Sequence, residues 1–306
     1  MAIKLQETLR GVFYAPFYVA LARGAYAIEG VDVRFVSSAQ PSEAARNVLN
    51  GTVDVCWGGP MRVMQAYQQD KDCDLVSFAE VVTRDPFVLL GRRPRPRFAL
   101  SELLGLRIAT VSEVPTPWLC LQEDLRRAGI APADLTRVAD ATMAANVGAL
   151  RRGEIAVVQL CEPVAAVLLA EGTGHLWYAQ ASRGLTCYTT LYARRRLLAR
   201  HDELYRMVRA IHRTQQWVAA AEGAEIAAAI GGFFEDVPGS ILTAACERYK
   251  SLGIWARDPR VPLAGYNRLL ESLVSGGFVS PGTPYDRAVD NTLATAVVRE
   301  DPPPLP

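Results

Sequence analysis

The chain has 306 residues, half of them hydrophobic and a fifth charged, which is enough for two domains of ordinary size with a real core. A net charge of +1 gives no nucleic-acid footprint, and no stretch of about twenty apolar residues is present to span a bilayer. The six cysteines form no CxxC pair and have no histidine at zinc spacing. They read as small buried hydrophobes, so neither a metal nor a cofactor is expected. Met1 leads straight into Ile3-Lys4-Leu5-Gln6 with no basic region, apolar stretch or cleavage site. As written the chain is expected to be cytoplasmic, or periplasmic if an export signal has been removed.

In chain order, residues 3–9 predict a first strand, and Ala15-Pro16 opens a helix ending near Gly24. Residues 31–36 alternate apolar and charged and predict a second strand. Ser42 can cap a helix that stops at Asn50-Gly51. Residues 53–57 then form a short strand rich in β-branched and aromatic residues. Gly58-Gly59 turns the backbone, and Pro60 suits the first position of the next helix because its missing N–H has no helical partner there. Strands are predicted at residues 75–82 and 86–91. The run Arg92-Arg93-Pro94-Arg95-Pro96-Arg97 is a solvated loop. Alternation resumes at residues 101–110, with helices over 117–128 and 142–152 and strands over 136–138 and 155–160. Cys161-Glu162-Pro163 opens an apolar helix, and residues 185–193 are extended. Beyond them the pattern is helical at 197–221, 224–234, 240–252, 263–275 and 285–298, ahead of a proline-rich tail. The alternation predicts an α/β protein with mainly parallel sheets.

Ligands in open α/β sheets bind outside the carboxyl ends of the strands, and that rule selects the candidate residues. Arg10 follows the first strand and could grip an anionic group bidentately, or form a surface ion pair. Tyr14 and Phe17 could stack on a flat ligand or pack in the core. Ser38, past the second strand, is a ligand donor or a solvated loop serine. Trp57 is a ring platform or core filling. Gly58, Gly59 and Pro60 offer bare backbone at a helix start, or an ordinary tight turn. Ser112 and Thr116 follow the strand that opens the second half; Thr116 could equally be an N-cap with Pro117 behind it. Trp118 is a contact or packing, and Tyr188 a contact or part of a hinge. Glu162 either faces the cleft or caps its own helix.

The ordered set Phe13-Tyr14-Ala15-Pro16-Phe17, Glu29-Gly30-Val31-Asp32-Val33, Gly51-Thr52-Val53-Asp54-Val55 with Gly58-Gly59-Pro60, Leu103-Leu104-Gly105-Leu106-Arg107 and Glu162-Pro163 resembles the type II periplasmic binding proteins of ABC transporters. The closest branch is that of the nitrate/sulfonate/taurine and thiamine-pyrimidine-precursor receptors. The resemblance implies two α/β lobes, residues 1–90 with 190–306 and residues 91–189, crossing over near Phe87-Leu90 and Cys187-Leu191. It implies a monomer that closes by a hinge around one small organic solute (pyrimidine-like, sulfonate or aromatic acid) and passes it to a permease. Thiamine-pyrimidine synthases of the same fold use a lysine-bound pyridoxal phosphate, a histidine and a cysteine-rich iron site. Here no lysine lies between Lys4 and Lys71, and the first histidine is His175. Binding rather than catalysis is therefore expected. The alternatives are a decarboxylase-like or pyrimidine-biosynthesis-related enzyme and a ligand sensor, either of them cytosolic.

Overall fold

In the computed structural model, which describes residues 2–37 and 41–306, the strands assort into two five-stranded sheets. β1 (Ile3–Gln6), β2 (Val33–Val36), β3 (Val55–Gly58) and β4 (Leu75–Val82) lie in the first sheet. β5 (Val88–Gly91), β6 (Arg107–Ala109), β7 (Thr136–Val138), β8 (Val157–Leu160) and β9 (His175–Ala179) make the second, and β10 (Thr189–Arg194) returns to the first. The orders are β2-β1-β3-β10-β4 and β7-β6-β8-β5-β9. β1 is parallel to β2 and β3, and β6 is parallel to β7 and β8. Each crossing threads one antiparallel strand into the other sheet: β5 lies between β8 and β9, and β10 between β3 and β4. Of the expected crossover at Phe87-Leu90, Val88, Leu89 and Leu90 are already strand β5.

β4 shows why the predicted elements formed where they did. All eight of its residues are buried, because helices cover it although it is an edge strand. The final helix predicted over 285–298 is instead two, Tyr285–Ala288 and Thr292–Glu300. Between them Val289 bridges Ser77 in parallel, and the Asp290 N–H donates to the Ser77 carbonyl at 2.9 Å. Covering an unpaired strand edge outweighs helix continuity here. Asp290 Oδ1 then accepts from the Thr292 N–H at 2.9 Å and restarts the helix.

The largest core cluster packs β1, β3, β4 and β10 against helices Ala15–Ala22, His201–Ala220, Gly223–Ile230 and Gly239–Ser251. Two further clusters cover the faces of the second sheet. Among the described residues no helix is long and apolar enough to cross a membrane.

Candidate functional site

The parallel strands end side by side, so their turns converge. Thr8 and Leu9 follow β1, and Gly59, Met61 and Arg62 follow β3. Val114, Pro115 and Thr116 come from the turn after β6, and Phe87 and Tyr188 from the two links between the sheets. Together with Phe13 and Tyr14 these residues line a cavity of about 40 Å³. That is room for a water molecule or two, far below the roughly 300–1,000 Å³ of a small-molecule site. The two sides touch directly, since the Thr116 hydroxyl lies 2.6 Å from the Met61 sulfur.

The lining is aromatic with a few polar tips. The Tyr14 hydroxyl pairs with Thr8 Oγ1 at 3.2 Å. The Tyr188 hydroxyl is buried without a partner. Burial lifts both phenols well above their usual pKa, so both are neutral donors. Arg62 is the one charged group in the lining. It is half-buried, its single printed hydrogen bond goes to Gln65 Oε1 at 3.1 Å, and among the described residues it has no acidic partner. Desolvation accordingly lowers its pKa. A partly dehydrated guanidinium beside neutral phenols and an apolar floor favours an anion with an apolar body.

Four of the predicted residues meet at this cavity: Tyr14, Gly59, Thr116 and Tyr188. Gly58 stands behind it, where an added Cβ would lie 3.0 Å from Thr8 Cγ2 and 3.3 Å from the Tyr192 ring. Its smallness lets β1, β3 and β10 pack together rather than exposing bare backbone. Two capping assignments change. Pro60 is the N-cap of helix Met61–Gln69, and helix Thr116–Arg127 begins on Thr116 itself with Pro115 as N-cap.

The other predicted residues have different surroundings. Arg10 turns onto the buried Glu7, donates to the Phe233 carbonyl at 3.0 Å and stacks on Tyr18 and Phe233. Phe17 stacks on Trp57 with centroids 4.4 Å apart and planes 6° apart, while Phe35 stacks on Trp57 at 5.5 Å; all three belong to or pack on the core. Trp118 is buried under Arg137, whose guanidinium carbon sits 4.2 Å above the ring. Ser112 is exposed, and Ser38 lies outside the described residues. Glu162 is 1% exposed: Oε2 accepts from the Ala166 N–H at 2.8 Å and Oε1 pairs with Arg248. Its carboxylate therefore caps its helix and ties it to helix Gly239–Ser251.

Arg62, Thr8 and Phe87 were not singled out in the sequence. The available signal was position, since Arg62 is the second residue of the helix that the Gly58-Gly59-Pro60 turn opens. Among the described residues no three His, Cys, Asp or Glu side chains converge on a point that could hold a metal ion.

A family model described as NMT1/THI5 like matches residues 13–223. YtlA of Bacillus subtilis (strain 168) is 26% identical over 303 residues, covering 97% of this chain and 90% of YtlA. The alkanesulfonate-binding protein SsuA from Xanthomonas axonopodis pv. citri, bound to MOPS, superposes with a TM-score of 0.72 at 13% identity, covering 95% of this chain and 98% of SsuA. The periplasmic nitrate-binding protein NrtA from Synechocystis PCC 6803 gives 0.70 at 14% identity, covering 98% and 88%. These matches correct one expectation. The cytoplasmic location read from the start of the chain conflicts with relatives that are periplasmic binding proteins.

Proposed function

We propose a ligand class for this chain, which belongs to the NMT1/THI5-like family and has the two-sheet fold of the solute-binding components of ABC import systems. The ligand is a small organic anion, a sulfonate or an aromatic acid, held between the two sheets. Arg62 carries the reading: it lines the cavity, is half-buried and has no acidic partner among the described residues. A bound oxyanion would satisfy it, with the Tyr188 hydroxyl as a second donor. The rings of Phe13, Tyr14, Phe87 and Tyr188 would hold the body of the solute. The sulfonate bound by SsuA in its MOPS complex belongs to the same chemical class.

A cavity of about 40 Å³ admits no such molecule. The proposal therefore includes an opening motion in which the turn at 114–116 swings away from residues 59–62, with residues 83–87 and 180–188 as the hinge. The test is a thermal-shift screen of alkanesulfonates, aromatic carboxylates, neutral pyrimidines and amines. A ligand at a hundred times its dissociation constant adds about 2.7 kcal/mol of stability. Anions should stabilise the wild type, and Arg62→Gln should weaken the best of them at least tenfold, about 1.4 kcal/mol. Stabilisation by neutral solutes or amines alone, or equal affinity in Arg62→Gln, would refute the anion assignment. Small-angle scattering of the complex should show a smaller radius of gyration than that of the free protein, and identical curves would refute closure.

A further inference from the structure

The proline-punctuated arginine run belongs to a shaped groove at the opposite end of the second sheet from the cavity. Arg92, Arg93 and Arg95 follow β5, Arg107 begins β6, and residues 153–156 lead into β8. With Trp177 they line a concave space of about 390 Å³. Because β6 and β8 are parallel and run toward the cavity, this groove lies at their amino ends. A ligand here would not touch one held at Arg62.

The groove is fixed in shape. The Trp177 indole N–H donates to the Arg93 carbonyl at 2.7 Å, and the Arg92 N–H to the Ala156 carbonyl at 3.2 Å. The Arg95 guanidinium carbon sits 4.6 Å over the Trp177 ring while Nη1 pairs with Glu102. A Cβ on Gly91 would fall 1.9 Å from the Trp177 ring, and one on Gly153 would fall 2.6 Å from Arg92 Nη1. Gly153 also has a φ of 80°, a left-handed conformation that glycine adopts without strain. Two glycines thus make room for the ring and the guanidinium that form the walls.

The groove is also unneutralised. It carries four arginines against one acid, Glu154, and that carboxylate is engaged by Arg152 through both oxygens. Among the described residues Arg92, Arg93 and Arg107 have no ion-pair partner. Like charges held together repel, and a multiply charged anion would relieve the repulsion. Planar arginine forks match phosphate oxygens in pairs, and the volume is within the range of small-molecule sites.

We infer that this groove binds a small, multiply charged phosphate anion. Concavity favours a free phosphate over a flat lipid surface, and Trp177, covered by Arg95 on one face and Gly91 on the other, leaves no ring face for a nucleobase.

The test is calorimetric titration of the full chain with inorganic pyrophosphate, with potassium chloride of equal ionic strength as control. Wild type should bind saturably. The double variant Arg92→Gln, Arg107→Gln should bind at least tenfold more weakly with an unchanged melting temperature, whereas Arg62→Gln should bind like wild type. Three results would overturn the assignment: no binding at millimolar pyrophosphate, the same response to potassium chloride, or binding lost in Arg62→Gln but kept in the double variant. Phosphatidylglycerol vesicles provide the remaining arm. Arginine-dependent vesicle binding without pyrophosphate binding would replace the free anion by a membrane surface and refute the proposal.

Discussion

Glu80 on β4 is 2% exposed, Oε1 has no partner, and among the described residues no cation pairs with it. Thr83 and Cys187 hydrogen-bond the carboxyl, and Asp258 repels its ionised form. Desolvation therefore raises its pKa from an ordinary 4.5 to about 8. Because the folded carboxyl holds its proton above the unfolded value, the native state binds more protons than the unfolded chain between pH 4.5 and about 8. Stability must then fall as pH rises through that window. At about 1.4 kcal/mol per pH unit the full difference is on the order of 5 kcal/mol, a ceiling that water penetration lowers to a few kcal/mol. Glu80→Gln keeps the shape and removes the titration. Urea unfolding at pH 5 should give nearly equal stabilities for the two proteins. At pH 9 the variant should be more stable by a few kcal/mol. Asp85 is raised to about 7 by the same cause, but it is present in both proteins and cancels in the difference. Parallel stability profiles for wild type and variant from pH 5 to 9 would refute the argument.

Gly58→Ala should cost about 1–3 kcal/mol by overpacking, since its Cβ would press on Thr8 and Tyr192; an unchanged urea midpoint would show that the β1–β3–β10 junction is looser than described. Arg183→Met should cost about 3 kcal/mol, the lower end for breaking a buried pair, because Asp124 loses a partner at 3.0 Å but keeps Arg268 at 3.2 Å. A loss below about 1 kcal/mol, the range of exposed pairs, would count against a buried network between helices Thr116–Arg127 and Leu263–Ser275.

The alternation of elements was legible because it depends on local pattern. Residues 75–82 and 136–138 were read with the bounds the structure has. β9 was not identified: His175-Leu176-Trp177-Tyr178-Ala179 is an edge strand with neither strict alternation nor a turn signal to mark its ends. The break at Val289 depends on Ser77, more than two hundred residues away in the chain, and no local signal encodes it. The strand-end rule located the site region but could not tell a free arginine from a paired one. Arg10 lies three residues after Glu7, and the buried carboxylate takes it. Arg62 looked like one more polar residue of an amphipathic helix, and only the meeting of the two sheets makes it part of a cavity wall. Trp57 and Phe17 were ambiguous for the opposite reason. Aromatic residues near strand ends serve cores and ligands alike, and the stacking of Phe35 on Trp57 is a tertiary fact.

The topology constrains how the proposed closure could work. Each link runs straight into a strand inside the opposite sheet, so the bending must be absorbed by residues 83–87 and 180–188. Those links are joined to each other. Gln180 Nε2 donates to Asp85 Oδ2 at 2.8 Å, Gln159 Nε2 donates to Gln180 Oε1 at 2.5 Å, and the Asp85 carboxyl also accepts from the Phe87 N–H at 3.0 Å. Phe87 and Tyr188, the ring contacts expected for the solute, belong to the same links, with centroids 6.4 Å apart. In this reading the residues that touch the ligand are the residues that bend. Binding energy at Phe87 and Tyr188 would act on the hinge without a relay through the lobes, whereas Arg62, on a helix of the first sheet's side, would fix the anion and leave the hinge unaffected. Substitutions at the two kinds of position should therefore differ in kind, with Arg62 setting which solutes bind and the link aromatics setting how far binding closes the cleft.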